Sequence, residues 1–163
     1  MKRRLALLMT AAAIAGCGFQ LRQAPNFAFN SIYIGSAPAS TLGNELKRSI
    51  AANGAVTVAR TPTPEQAQVI LDVLRDQREK VVAGLNASGQ VREFQLRTRF
   101  RFKLRTPQGK ELIPETELLQ QRDISFTESA ALSKEAEEQL LYRDMQTDIV
   151  QQLMRRLASL NTL

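Results

Sequence analysis

No histidine occurs in the 163 residues, and cysteine occurs once, at position 17. The first absence removes the side chain that ordinarily titrates nearest neutrality. With it go Ser-His-Asp and Cys-His nucleophilic machinery and every imidazole metal site. A lone thiol closes no intramolecular disulfide, so stability must come from packing. There is no GxGxxG, P-loop or CxxC motif. No uninterrupted apolar run reaches the roughly 20 residues that a membrane-spanning helix needs. Acid pairs such as Glu115 and Glu117 lie two apart on one strand face, without an accompanying nucleophile and base. The chain therefore reads as a non-enzyme without a metal or a cofactor.

The start of the chain is its most patterned part. Met1-Lys2-Arg3-Arg4 is cationic, Leu5 to Ala13 is apolar except for Thr10, and Ile14-Ala15-Gly16 leads into Cys17. This is the order of a secretory signal: charged region, short apolar region, small residues at the cut. Ile14 to Cys17 resembles a bacterial lipobox. That resemblance implies removal of residues 1–16 and a Cys17 carrying diacylglycerol and an N-acyl chain. Several acyl chains anchor stably where a single one is marginal. Removing the first 16 of 163 residues leaves 147, enough for one domain with its own core. The formal charge of +6 falls to about +3, because Lys2, Arg3 and Arg4 leave and no acid leaves with them. So modest a charge does not argue for nucleic acid as a partner.

Residues 17–30, with Pro25, read as a lipidated N-terminus and short leader, and residues 31–163 as a single domain. Ser31 to Ile34 is a short β-branched and aromatic strand. Thr41 can cap a helix to about Ala52, with Leu42, Leu46 and Ile50 as its stripe and Asn53-Gly54 as its stop. Ala55 to Val58 is a second strand, which makes a βαβ unit with parallel strands. Val69 to Val82 is a long strand, charged in the middle from Asp76 to Lys80. From Phe94 to Arg105 the even positions are apolar or Thr98 and the odd positions are Gln95, Arg97, Arg99, Arg101, Lys103 and Arg105. That period of two predicts a strand with one apolar and one basic face. Glu111 to Phe126 returns antiparallel, with Glu115, Glu117 and Asp123 placed to meet the bases. A final helix, about Ser133 to Ser159, carries Leu141, Met145, Ile149, Leu153 and Leu157 on one stripe. The expected fold is α+β: a two-layer sandwich with two helices packed on one face of a mixed, mostly antiparallel sheet. Arg97, Arg99 and Arg101 belong on the face opposite the helices.

Cys17-Gly18-Phe19-Gln20-Leu21-Arg22 resembles the Cys-Gly-aromatic-His-Leu-Arg start of the lipopolysaccharide-assembly lipoprotein family LptE, with Gln20 in place of the usual histidine. The short helix ending in Asn53-Gly54, the Gly89-Gln90 turn before Glu93-Phe94-Gln95 and the long closing helix follow that family's order. The resemblance implies an outer-membrane lipoprotein on the periplasmic side. It would plug an LptD-like β-barrel, support its assembly, and bind lipopolysaccharide during delivery to the outer leaflet. It also implies a lipopolysaccharide-binding lysine at or near Lys134. A second basic position, at the Asn86–Gly89 tip, is met here by Ala87, with Arg92 as its substitute.

The basic face of Arg97, Arg99, Arg101, Lys103 and Arg105 has two readings. It is a solvated face partly neutralised by Glu115 and Glu117, or a contact for a barrel wall or for phosphates. Two other functions stay open: an outer-membrane lipoprotein that regulates a peptidoglycan synthase, and an auxiliary lipoprotein of a lipid-transport ABC system. The first usually needs a long linker. Only about 13 residues separate Cys17 from Ser31, a reach of about 45 Å.

Overall fold

The computed structural model describes residues 25–59 and 64–162. Cys17, the signal segment and the Cys17–Arg22 motif lie outside the described residues. The elements run β1 (Ser31–Gly35), α1 (Thr41–Ala52), β2 (Thr57–Val58), a 3-10 turn (Pro64–Gln66), β3 (Val69–Leu85), β4 (Val91–Arg105), β5 (Glu111–Ser125), a second 3-10 turn (Glu128–Ala130) and α2 (Ala131–Ala158). The five strands form one sheet in the order β2-β1-β3-β4-β5. β1 is parallel to both β2 and β3, and β3-β4-β5 is an antiparallel meander. This is the expected α+β arrangement, with the expected parallel βαβ unit.

Local chemistry explains the boundaries. α1 starts one residue earlier than the sequence suggests: Ser40, not Thr41, is the cap, and its Oγ accepts from the Gly43 amide at 2.8 Å. Serine and threonine are both good caps. Thr41 is instead spent on a contact with Gln146 described below. Gly54 ends the helix in the left-handed region (φ 74°), where a side chain would be strained. Gly89 (φ 79°) and Gly109 (φ 91°) do the same for the two hairpin turns.

β4 follows its alternation. Leu96, Thr98, Phe100, Phe102 and Leu104 are buried, while Arg97, Arg99, Arg101, Lys103 and Arg105 are half-buried on the opposite face. The main core joins Phe100, Phe102 and Leu104 to Ile32 and Ile34 of β1, the α1 stripe and Ile149, Leu153 and Leu157 of α2. Phe27 and Phe29 close its end. Each such side chain contributes about 1.5–3 kcal/mol on burial. A smaller cluster of Leu96, Ile124, Tyr142 and Met145 lies further along the same face.

β3 departs from simple alternation. Val69, Leu71 and Val73 face the helices, as odd positions. The register then shifts between Val73 and Arg75. Beyond that bulge the even residues pair with the helix-facing positions of β4: Asp76 with Phe100, Arg78 with Thr98, Lys80 with Leu96. Three charged residues are thereby turned to the helix side of the sheet, where they remain exposed. Each finds a partner there. Asp76 accepts from Ser40 Oγ, and Lys80 bridges to Glu138 at 2.7 Å and lies 4.4 Å from the Phe94 ring centroid. Arg78 donates to Gln146 Oε1 at 2.7 Å and stacks 5.3 Å from the Tyr142 centroid. Gln146 is buried, accepts from Thr41 Oγ1 at 2.7 Å and donates to Glu45.

The Tyr142 hydroxyl donates to the Glu79 carbonyl at 2.8 Å. Burial above all, then the charges of Glu138 and Glu79, push this phenol above its ordinary 10.0, against the pull of Arg78. A raised pKa in the fold gives stability that is complete below the unfolded value and lost as pH rises through the folded one. Tyr142→Phe should cost about 1 kcal/mol in urea unfolding at pH 8. It should also flatten the loss of stability above about pH 10.

Candidate functional site

β1 and β3 run parallel, so the start of β1 and the start of β3 share one end of the sheet. Pro25 lies there, its carbonyl accepting from Asn53 Nδ2 at 2.6 Å. The β3-β4 turn at Asn86–Gln90, the first residues of β4, the last of β5 and the start of α2 share the other end. β3 has 17 residues. At about 3.3 Å each, it holds these ends some 55 Å apart.

Arg92 and Lys134 both lie at that far end. Lys134 Nζ donates to Ser125 Oγ at 3.2 Å and to Glu137 at 2.8 Å. The next residue of the chain after Ser125, Phe126, donates its amide to the Arg92 carbonyl at 2.8 Å. The end of β5 thus ties the two cations to one corner, and Phe94 against Phe126 (5.4 Å, edge to face) braces it. The Arg92 guanidinium is exposed and has no carboxylate partner among the described residues. A shallow depression beside it is lined by Gln90, Val91, Arg92, Thr127 and Ser129.

The start of α2 adds donors. Its cap position is Ala130, which offers no side-chain hydrogen bond. The first-turn amides carry the positive end of a 28-residue helix without the covering that Ser40 gives α1. Glu137 offsets Lys134, while Glu138 is drawn away to Lys80. Ala87 lies exposed at the turn, so no base stands at the tip itself.

The basic face of β4 is a ladder of ion pairs. Arg99 bridges Glu117 at 3.0 Å and Glu79 at 3.4 Å, Arg101 bridges Glu115 at 2.8 Å, and Arg105 bridges Asp72 at 2.7 Å. The Asp72 hydrogen bond, opposed by burial, raises the Arg105 pKa further and keeps it charged. Arg97 donates to Gln95 at 2.7 Å, and Lys103 has no carboxylate partner among the described residues. Two of the acids, Asp72 and Glu79, come from β3 and were not foreseen. They share this face because the bulge shifts parity between them. Apolar residues of both parities flank it, Ile70 and Leu74 beside Val69, Leu71 and Val73, and Val81 beside Val82, so the sequence carries no mark of the bulge.

The family model for LptE, lipopolysaccharide-assembly, matches residues 29–157. The chain belongs to the LptE family. Its fold recurs in the solution NMR structure of lipoprotein B from Nitrosomonas europaea, 36% identical, with a TM-score of 0.73 over 87% of this chain and 91% of that one. Rare lipoprotein B from Shewanella oneidensis is 21% identical, with a TM-score of 0.65 over 80% of this chain and 95% of its own. A minor lipoprotein from Acinetobacter baumannii is 20% identical, with a TM-score of 0.63 over 82% and 94%. The last two likenesses show the fold alone. No curated protein matches the chain. Family membership makes this a lipopolysaccharide-assembly lipoprotein, and LptE proteins are not enzymes. Among the described residues no helix is long and apolar enough to cross a membrane.

A ladder of half-exposed pairs stabilises modestly and is screened by salt. Arg99→Ala with Arg101→Ala should lower stability by about 1–2 kcal/mol in urea at low salt. The loss should shrink in 1 M salt.

Proposed function

We infer that the protein plugs an LptD-like outer-membrane β-barrel, supports its assembly, and binds lipopolysaccharide at the corner of Arg92 and Lys134. Acyl chains on Cys17 hold it to the outer membrane from the periplasmic side, after removal of residues 1–16. The observation that carries this reading is the separation of the two ends. The described chain begins, at Pro25, at the end opposite the cationic corner. A hydrocarbon core is about 30 Å thick. A rigid sheet of about 55 Å, tethered at one end, carries its cations past that thickness if a barrel gives it an aqueous path.

The surface chemistry supports the same reading. A wide barrel has a polar lumen, and the ion-pair ladder on β4 is a polar, self-neutralised wall rather than a free cation field. Lipopolysaccharide carries clustered phosphates. An arginine with open paired donors, a lysine held by Ser125, and the uncapped amides of α2 form an anion site of matching chemistry.

The lipidated protein should co-purify with a heat-modifiable outer-membrane barrel. Recovery of a murein synthase or of inner-membrane transporter subunits instead would replace this reading with one of its alternatives. Cys17→Ala should abolish palmitate labelling. Arg92→Asp with Lys134→Asp should weaken binding of purified lipopolysaccharide about ten-fold or more at low salt, since each charge-assisted contact is worth about 1.5–3 kcal/mol. Circular dichroism and barrel association should be unchanged. Unaltered binding would move the site to the Arg97–Arg105 face.

A further inference from the structure

Most of β3, 13 of its 17 residues, has no strand on one side among the described residues. β1 pairs with β3 only from Ile32 opposite Val69 to Gly35 opposite Asp72, and β2 pairs with β1. From Val73 to Leu85 the side of β3 away from β4 carries no strand among the described residues. Against β4 the register is unbroken from Arg75 to Val82, with shifts on both sides, at Val73/Arg75 and Val82/Gly84. The open edge is therefore a regular segment of ordinary strand length, bounded by bulges. Such an edge presents a row of unpaired amides and carbonyls. The charges along it, from Arg75 to Lys80, discourage indiscriminate pairing. An added strand must match them.

Two arginines say what such a strand carries. Arg75 lies directly opposite Arg101 across the ladder, a like-charge pairing that costs stability. Arg75 has no carboxylate among the described residues. Arg101 sends Nη1 to Glu115, but its Nε is buried with no acceptor. Arg101 turns toward β5, so the cation left open to a strand along this edge is Arg75. On the other face of the same edge, α2 overhangs. Leu132, 84% exposed, lines an open groove of about 530 Å³ together with Lys80, Glu135, Ala136, Glu138 and Gln139. Alternate residues of one added strand serve the two faces.

We propose that the Arg75–Val82 edge of β3 docks an extended segment of a partner protein, which adds to the sheet as a strand. It places an aspartate or glutamate against Arg75, and on the other face a side chain whose apolar stem lies against Leu132. A lipid phosphate would satisfy Arg75 and leave the backbone row bare; a polypeptide satisfies both. This goes beyond the proposed function and does not depend on the Arg92–Lys134 corner.

The test uses the full, lipidated protein in its own membrane, with a photo-cross-linking amino acid at Gln77, exposed on the edge, or at Arg48, exposed on α1 as control. The expected product is confined to Gln77 and maps to one extended partner segment containing an acid. Arg75→Glu should lower its yield about ten-fold, and replacing the partner's acid with lysine should restore it. In the isolated protein Arg75→Glu turns the like-charge pairing into an ion pair with Arg101. Its melting temperature should rise by about 2 °C, which separates docking from folding. Equal products from Gln77 and Arg48, a second copy of this chain, a lipid adduct without peptide, a yield indifferent to Arg75→Glu, or failure of the charge swap to rescue would each overturn the proposal. Neither labelled position lies at the corner, so loss of lipopolysaccharide binding there leaves this result intact.

Discussion

Because side chains alternate along β4, a single strand faces two unlike environments, and the rest of the fold is arranged around that division. On one side Leu96, Phe100, Phe102 and Leu104 are fully buried and hold α2 along the length of the hairpin. On the other side a row of bases needs acids from both neighbours. β5 supplies Glu115 and Glu117, and β3 supplies Asp72 and Glu79. A slip of one residue would bury the arginines and expose the phenylalanines. The register is therefore set by both faces at once.

The second constraint is the bulge at Leu74. It allows Asp72 and Glu79, at positions of opposite parity, to share the outer face. It also turns Asp76, Arg78 and Lys80 to the helix side of the sheet. The near end of the molecule, under α1, is packed almost entirely with apolar side chains. The far half combines the apolar cluster of Leu96, Ile124, Tyr142 and Met145 with aromatic-cation contacts and with a polar network around Gln146 that reaches back to Thr41 and Glu45 of α1.

The period of two in β4, the period near four in both helices and the glycine stops at Gly54, Gly89 and Gly109 were legible from residue order alone, because each is a local rule. They were enough for the α+β layout, for the sides of the sheet and, with the Cys17–Arg22 motif, for the family. The bulge was not read, because apolar residues of both parities flank the charged stretch, and one extra residue there leaves no mark in the pattern. The ladder was read in part: Glu115 and Glu117 are hairpin partners at predictable register, whereas Asp72 and Glu79 depend on the bulge. Ser40 caps the helix, while the Thr41 hydroxyl donates to Gln146, more than a hundred residues away, a pairing that residue order does not show. That Arg92 and Lys134 share a corner follows from α2 starting where β5 ends, a tertiary fact that spacing alone does not contain.

The central claim is that lipopolysaccharide is engaged at the far corner and not on the basic sheet face. Photo-cross-linking groups placed one at a time at Gln90 and at Lys103, in intact cells, test it most directly. Gln90 is exposed beside Arg92, and Lys103 lies on the basic face near the opposite end. The account predicts lipopolysaccharide adducts from Gln90 and none above background from Lys103. Adducts from Lys103 that equal or exceed those from Gln90 would contradict it.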